Sequence, residues 1–157
     1  MRRCGLYVLL CLLPWVLCGC GSDVIADRFY AQAMALHCGA DTLTLTLQGF
    51  GESDCRTVCA ADLDAALAAQ ETRAGGRVFI GHTELICMDE TVPPALLETL
   101  FFDYGISPDC MIMQEGRAFL ETHESTSVVH QMRMAQRNGS GSYPAMELRA
   151  YLDAAGR

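Results

Sequence analysis

The most regular alternation of hydrophobic and polar positions lies between Thr42 and Leu47, where every second residue is leucine and the others are threonine. A period of two predicts a half-buried β-strand. The stretch Phe29–Leu36 is apolar, with small residues between larger ones, and predicts a buried strand. Gly39 lies between the two runs and suits a turn. Together the two runs predict a β-hairpin.

Further along the chain, helical and extended patterns follow one another. Leu63, Ala66, Leu67 and Gln70 recur at helical spacing in an alanine-rich segment. Arg77–Met88 is apolar on both faces and predicts a central strand. The remaining segments show weaker forms of the same two patterns. The predicted elements are helices at about 58–72, 91–104, 125–136 and 144–155 and strands at 77–88 and 110–114, with a loop at 49–54.

The predicted order of the elements is β-β-α-β-α-β-α-α. Strands joined by helices favour one sheet with helices packed on it. We therefore expect a single small α+β domain with a mixed four-stranded sheet.

The N-terminal segment has the layout of an export signal. Two arginines precede an apolar run from Gly5 to Leu17, as in a secretory signal peptide. The run is too short to span a bilayer, which needs about 20 residues, and Pro14 interrupts it. Leu17-Cys18-Gly19-Cys20 resembles the lipobox of bacterial lipoproteins. That resemblance implies cleavage before Cys20 and a diacylglyceryl group on its thiol.

Three regions follow from this interpretation: a lipoprotein signal peptide at 1–19, a lipid-anchored tether at 20–28 and a folded domain at 29–157. Two acyl chains give stable anchoring where one is marginal. We expect the mature chain to lie on the outer face of a membrane without crossing it.

Charge excludes some partners. After the signal, nine arginines and no lysine stand against nineteen acids, a net charge of −10. Such an acidic chain does not suit nucleic acid, which needs a basic face. Net charge also disfavours electrostatic adhesion to anionic lipid, so the acyl chains must hold the protein at the membrane.

Cysteine use suggests one alternative chemistry. Three of the nine cysteines leave with the signal and Cys20 is lipidated, which leaves five with unassigned pairing: Cys38, Cys55, Cys59, Cys87 and Cys110. On a helix, Cys55 and Cys59 would share one face, one turn apart. An incidental pair or a local disulfide is favoured over a metal or redox site, because zinc sites need about four ligands and redox pairs are usually Cys-x-x-Cys.

The histidines do not indicate catalysis. His37 and Cys38 are adjacent, and adjacent side chains on a strand point to opposite faces. His82 suits a core or interface histidine, while His123 and His130 suit the surface. The chain has no phosphate loop, no Gly-x-Ser-x-Gly and no His-Glu-x-x-His motif. We expect a non-catalytic protein without catalytic residues, cofactor or metal.

The stretch Arg77–Glu90 (RVFIGHTELICMDE) resembles the N-terminal domain of the Ger(x)C family, the lipoprotein C subunit of spore nutrient-germinant receptors. Gly81-His82 and Asp89-Glu90 occupy the family's characteristic places. The resemblance extends over about Cys20–Leu152 through three further segments. These are Arg28–Leu36, which resembles the first strand, Leu63–Ala66, which resembles a helix, and Cys110–Ala118, which resembles a strand and the turn after it.

This resemblance implies a subunit that acts in spore germination at the outer face of the spore inner membrane, or of the cell membrane. Its implied partners are the membrane-embedded A and B receptor subunits. Gly21-Ser22-Asp23 stands where the family usually has Trp-Asp, and the family's later domains are absent. Two alternatives remain open: a thiol- or metal-binding envelope lipoprotein, and a truncated remnant of the receptor subunit without a germination role.

Overall fold

A computed structural model describes residues 28–139 and 145–156. The longest strand, β1, runs through the middle of a mixed sheet and pairs with partners on both sides. The strands are β1 (Arg28–Cys38), β2 (Leu43–Gly49), β3 (Cys55–Ala60), β4 (Arg77–Phe79), β5 (Leu85–Met88), β6 (Met111–Met113) and β7 (Ala145–Glu147). The helices are α1 (Leu63–Ala74), α2 (Pro94–Phe102), α3 (Arg117–Thr122), α4 (Ser125–Asn138) and α5 (Leu148–Ala155).

The sheet has the strand order β3-β2-β1-β5-β6-β7, and β4 also pairs with β1. Strands β4 and β5 both run parallel to β1, and β6 runs parallel to β5. The pairs β1–β2, β2–β3 and β6–β7 are antiparallel. The predicted hairpin and the mixed α+β class are confirmed, while the sheet has seven strands instead of four.

Each face of the sheet buries its own hydrophobic core. Leucines 43, 45 and 47 of β2 belong to the larger core, together with residues of α1, α2 and α5. On the other face, Ala33, Cys87 and Met113 pack with residues of α3 and α4. A fully buried Leu or Met side chain contributes about 1.5–3 kcal/mol. The two cores therefore hold the sheet between two helical layers.

The prediction that a helix begins at Val58 is wrong. Residues 55–60 form β3, which pairs with β2 from Leu43↔Ala60 to Gln48↔Cys55. The helix begins at Leu63, where the Asp62 carboxylate accepts a hydrogen bond of 2.8 Å from the Ala65 N–H. An N-cap carboxylate fixes where a helix starts. The residues before this cap are held in an extended conformation by their hydrogen bonds to β2. The predicted buried face of α1 is confirmed at Leu63, Ala66 and Gln70.

Three other boundaries differ from the predictions. The expected strand at 77–88 is two strands, β4 and β5. Helix α3 was not predicted, because six residues are too few to show a helical period. Residues 145–147 form β7 before α5 begins at Leu148, since they complete the sheet edge beside β6.

Candidate functional site

The interruption between β4 and β5 is the most unusual feature of the sheet. Tyr30 pairs with Phe79 and Ala33 pairs with Leu85, so two residues of β1 lie opposite the five residues 80–84. The Thr83 N–H donates to the Ile80 carbonyl at 3.0 Å, which closes a turn. Pairing resumes when the Glu84 N–H donates to the Gln32 carbonyl at 2.8 Å. The Gly81-His82 dipeptide thus bulges out of the sheet, opposite the part of β1 where its pairing with β2 also shifts register, between Ala31 and Ala33.

A polar network connects this bulge to α4. The buried Gln32 side chain donates to Glu84 Oε2 at 3.2 Å, and its Oε1 accepts from the hydroxyls of Ser125 at 3.2 Å and Thr126 at 2.8 Å. Glu84 Oε1 pairs with the Arg133 guanidinium at 3.2 Å. Buried amides need such partners. The network therefore fixes the bulge against the helix layer.

A cavity of about 210 Å³ lies beside the bulge. Thr83 borders it, is 1% exposed, and its hydroxyl has no hydrogen-bond partner among the described residues. The cavity is smaller than the roughly 300–1,000 Å³ of typical ligand pockets. It suits a small polar molecule or one polar side chain of a partner protein. Its walls carry both charges and hydroxyls, from Gly81, His82, Thr83, Glu84, Ser107, Asp109, Cys110 and Arg133.

A second polar group lies at the carboxyl ends of β1 and β5. His37 Nδ1 lies 2.6 Å from Asp89 Oδ2. Although partial burial raises the pKa of Asp89, hydrogen bonds from Thr91 and His37 hold it below its usual value. The Cys38 N–H instead donates to the Thr91 hydroxyl at 2.9 Å. That hydroxyl also lies 3.4 Å from His37 Nδ1, so the His37 ring and the Cys38 backbone share Thr91 as a partner.

The segment that contains Cys55 and Cys59 is not helical, so the condition for a shared helix face is not met. Both lie on β3, four residues apart, which places their Cα atoms about 13 Å apart. A disulfide needs less than about 7 Å. Cys55 contacts the Leu120 carbonyl at 3.6 Å, while the exposed Cys59 contacts the Thr44 hydroxyl at 3.4 Å. These two thiols cannot form a local disulfide or ligate one metal ion together.

The other thiols are poorly placed for chemistry. Burial, with smaller contributions from Glu115 and Cys55, raises the pKa of Cys87 to about 12. Burial likewise raises the pKa of Cys110 well above its usual range. All five cysteines of the described residues are free. Because the thiolate is the reactive form, buried protonated thiols are poor nucleophiles and metal ligands.

The predicted histidine positions have mixed outcomes. His123 and His130 are exposed, as predicted. His82 is also exposed, in the bulge, so a core position is wrong for it. The break in the strand moves its side chain out of the sheet, and apolar periodicity gives no signal of that break.

Cys20, the predicted lipidation site, lies outside the described residues, as does the signal peptide. Within 28–139 and 145–156, no helix is long and apolar enough to cross a bilayer. Over the same ranges, no group of three or more His, Cys, Asp or Glu side chains is arranged to hold a metal ion. Comparisons with protein-family models, curated proteins and solved structures found no match.

Proposed function

We propose that this chain is a non-catalytic, lipid-anchored subunit of a nutrient germinant receptor that acts in spore germination. Cys20 anchors it to the outer face of the spore inner membrane, and the folded domain binds the membrane-embedded A and B subunits. The bulge at Gly81-His82 is the centre of the proposed binding surface, because it exposes polar groups in the middle of the segment that resembles the Ger(x)C family.

The observation that carries the proposal is the placement of the segments that resemble this family. Arg28–Leu36 lies in β1, Arg77–Glu90 contains β4 and β5, and Cys110–Glu115 contains β6. These strands are neighbours in the sheet, in parallel register. Segments of one domain of that family would be expected to meet in one contiguous unit. Their adjacency supports a single structural origin for the resemblance.

The chemistry of the described residues favours binding over catalysis. The bulge network is held by neutral amide and hydroxyl groups around one ion pair, Glu84–Arg133. The thiol that borders its recess, Cys110, is buried, and burial raises its pKa. A polar recess of this kind can accept a partner side chain without breaking a bond.

Germination of spores that carry the Cys20→Ala variant, compared with spores that lack the chain and with wild-type spores, tests this function. We expect both mutant strains to lose the response to at least one nutrient and to respond normally to a trigger that bypasses nutrient receptors. Affinity purification of the wild-type chain from spore membranes should recover A- and B-type subunits. Normal germination of the deletion strain with every nutrient would contradict the proposal.

A further inference from the structure

The position of the proposed anchor restricts which part of the folded domain is near the membrane. Seven residues lie between Cys20 and Arg28, so the two residues are at most about 28 Å apart when the segment is fully extended. The end of the sheet where β1 begins, here called the arginine end, also contains the β2–β3 loop, the last turn of α1 and β4. The opposite end of the sheet lies about 23 Å away, which is the length of the seven residues of β2.

Four of the nine arginines that follow the signal lie at the arginine end: Arg28, Arg56, Arg73 and Arg77. Arg28 and Arg77 are register partners on parallel strands, and like charges at such positions repel. Within 28–139 and 145–156, neither forms an ion pair with a carboxylate. Two arginines at paired strand positions, with no carboxylate partner among the described residues, provide a site for phosphate, which arginine binds in bidentate fashion.

Aromatic side chains accompany these arginines. Phe50, at the tip of the β2–β3 loop, is 50% exposed. The Arg28 guanidinium lies 5.3 Å from the centre of the Phe79 ring, which stacks on Tyr30 at 5.4 Å. An exposed Phe50 and half-buried rings beside arginine suit the boundary between lipid headgroups and acyl chains, where amphipathic rings are enriched.

The acids at the arginine end are partly engaged. Glu52 pairs with Arg56 at 3.9 Å, and Glu71 accepts from the Val78 N–H at 3.2 Å. Asp54 and Glu124 also carry negative charge near this end, and the acidic residues Asp23 and Asp27 precede Arg28 in the sequence.

The opposite end has a different balance of charge. It is formed by the β1–β2 turn, the residues after β3 and the residues after β5. These three segments contain Asp41, Asp62, Asp89 and Glu90 and no arginine. An anionic surface therefore repels this end more strongly than the arginine end, where four arginines offset much of the acidic charge.

We propose that the arginine end rests on the bilayer, with Phe50 in the interfacial layer and Arg28 and Arg77 bound to the phosphates of anionic phospholipids. This inference rests on the proposed lipid anchoring of Cys20. The acyl chains supply the affinity, because the whole chain is acidic, and the arginines and Phe50 set the orientation. The face that carries the Gly81-His82 bulge then stands upright beside the membrane, where embedded subunits can reach it.

A single tryptophan reports this orientation. The only tryptophan of the sequence, Trp15, lies in the signal peptide, so the mature Phe50→Trp variant has one fluorophore. The matched control is Ala40→Trp, at the exposed β1–β2 turn of the opposite end. Each purified acylated chain is reconstituted into phosphatidylglycerol vesicles that contain lipids with a quencher on the acyl chain. We expect blue-shifted, at least twofold quenched emission for Phe50→Trp and unquenched emission for Ala40→Trp.

The arginines are tested in the same assay. Arg28→Gln combined with Arg77→Gln should remove most of the quenching from the Phe50→Trp chain, whereas Arg149→Gln, an exposed arginine on α5, should leave it unchanged. Phosphatidylcholine vesicles should give weaker quenching than phosphatidylglycerol vesicles. Equal quenching of the Phe50→Trp and Ala40→Trp chains, or no effect of the double substitution, would overturn the proposed orientation.

Mass spectrometry of Cys20 and flotation of the vesicles separate this inference from the proposed function. A chain that floats with the vesicles but shows no difference between the two tryptophan positions overturns the orientation alone. A chain that carries no acyl group and does not float overturns the anchor, and the orientation with it.

Discussion

The side-chain Oε1 of Gln48 accepts a hydrogen bond of 2.9 Å from the backbone N–H of Ser125, 77 residues further along the chain. Ser125 is the first residue of α4, and Glu124 before it provides no side-chain cap. Gln48 is fully buried and also donates to the carbonyls of Leu120 at 3.3 Å and His123 at 3.2 Å. A residue of β2 therefore does for α4 what an N-cap side chain usually does.

Replacing Gln48 should weaken the attachment of α4 to the sheet. The Gln48→Leu variant removes the acceptor of the Ser125 N–H and the amide donor to the Leu120 and His123 carbonyls, at a cost of about 1–3 kcal/mol. Chemical denaturation should show this loss in the free energy of unfolding. The control Gln114→Leu changes an exposed glutamine beside β6 and should have little effect. Equal stability of the two variants would contradict the capping role.

We expect the Thr83 hydroxyl to destabilise the folded protein. It is buried without a partner among the described residues, so Thr83→Val should increase the free energy of unfolding by about 1 kcal/mol. The matched control is Thr46→Val, because the equally buried Thr46 hydroxyl bonds to Thr57 at 2.9 Å and its removal should be destabilising. A destabilised Thr83→Val variant would show that the hydroxyl has a partner in the folded protein.

The Asp89 carboxylate should make stability depend on pH in acid. Its pKa is lower in the folded state than the unfolded value of about 3.9. Its contribution is therefore complete above pH 3.9 and disappears as the pH falls through the folded-state pKa. Because His37 is half exposed, the contribution is at most about 1 kcal/mol. Asp89→Asn should thus be destabilising at pH 7 and neutral near pH 2.

Denaturant titrations at both pH values measure this effect. Asp41→Asn, which replaces an exposed carboxylate at the same end, serves as the control for a general change in net charge. A loss of stability in Asp89→Asn that is the same at pH 7 and pH 2 would mean that the pairing of Asp89 with His37 and Thr91 does not depend on its charge.

Thiol labelling distinguishes the proposed function from the thiol- or metal-binding alternative. In the folded mature chain, the exposed Cys59 should react with a maleimide reagent first, while Cys87 and Cys110 should react only after unfolding. Mass spectrometry of the labelled peptides measures the order. Protection of Cys55 and Cys59 together, lifted by a reductant or a chelator, would favour the alternative.

Much of the fold was predictable where one physical signal dominated. The alternating leucines of β2 and the helical spacing of Leu63, Ala66 and Gln70 each reflect one buried face, and the structure confirms both. Strand β3 was missed because its two ends are cysteine and alanine, and only its pairing with β2 makes it extended. Local propensity carries no information about that partner.

The candidate site was harder to predict than the fold. Arg77–Met88 has apolar runs on both sides of Gly81-His82 and is read as one strand, which hides the break at Gly81. The network around Gln32 joins residues more than 90 positions apart, and no local pattern reveals such pairs. The concentration of arginines at one end was not predicted either, because net charge is a sum over the whole chain and carries no information about position.

The chemical state of the N-terminus tests the central claim most directly. Mass spectrometry of the chain isolated from the membranes of its native cells should find no peptide from residues 1–19 and a first peptide that begins at Cys20 with a diacylglyceryl group on its thiol. A chain that retains Met1, or that carries an unmodified Cys20, would contradict the anchoring and the receptor role proposed with it.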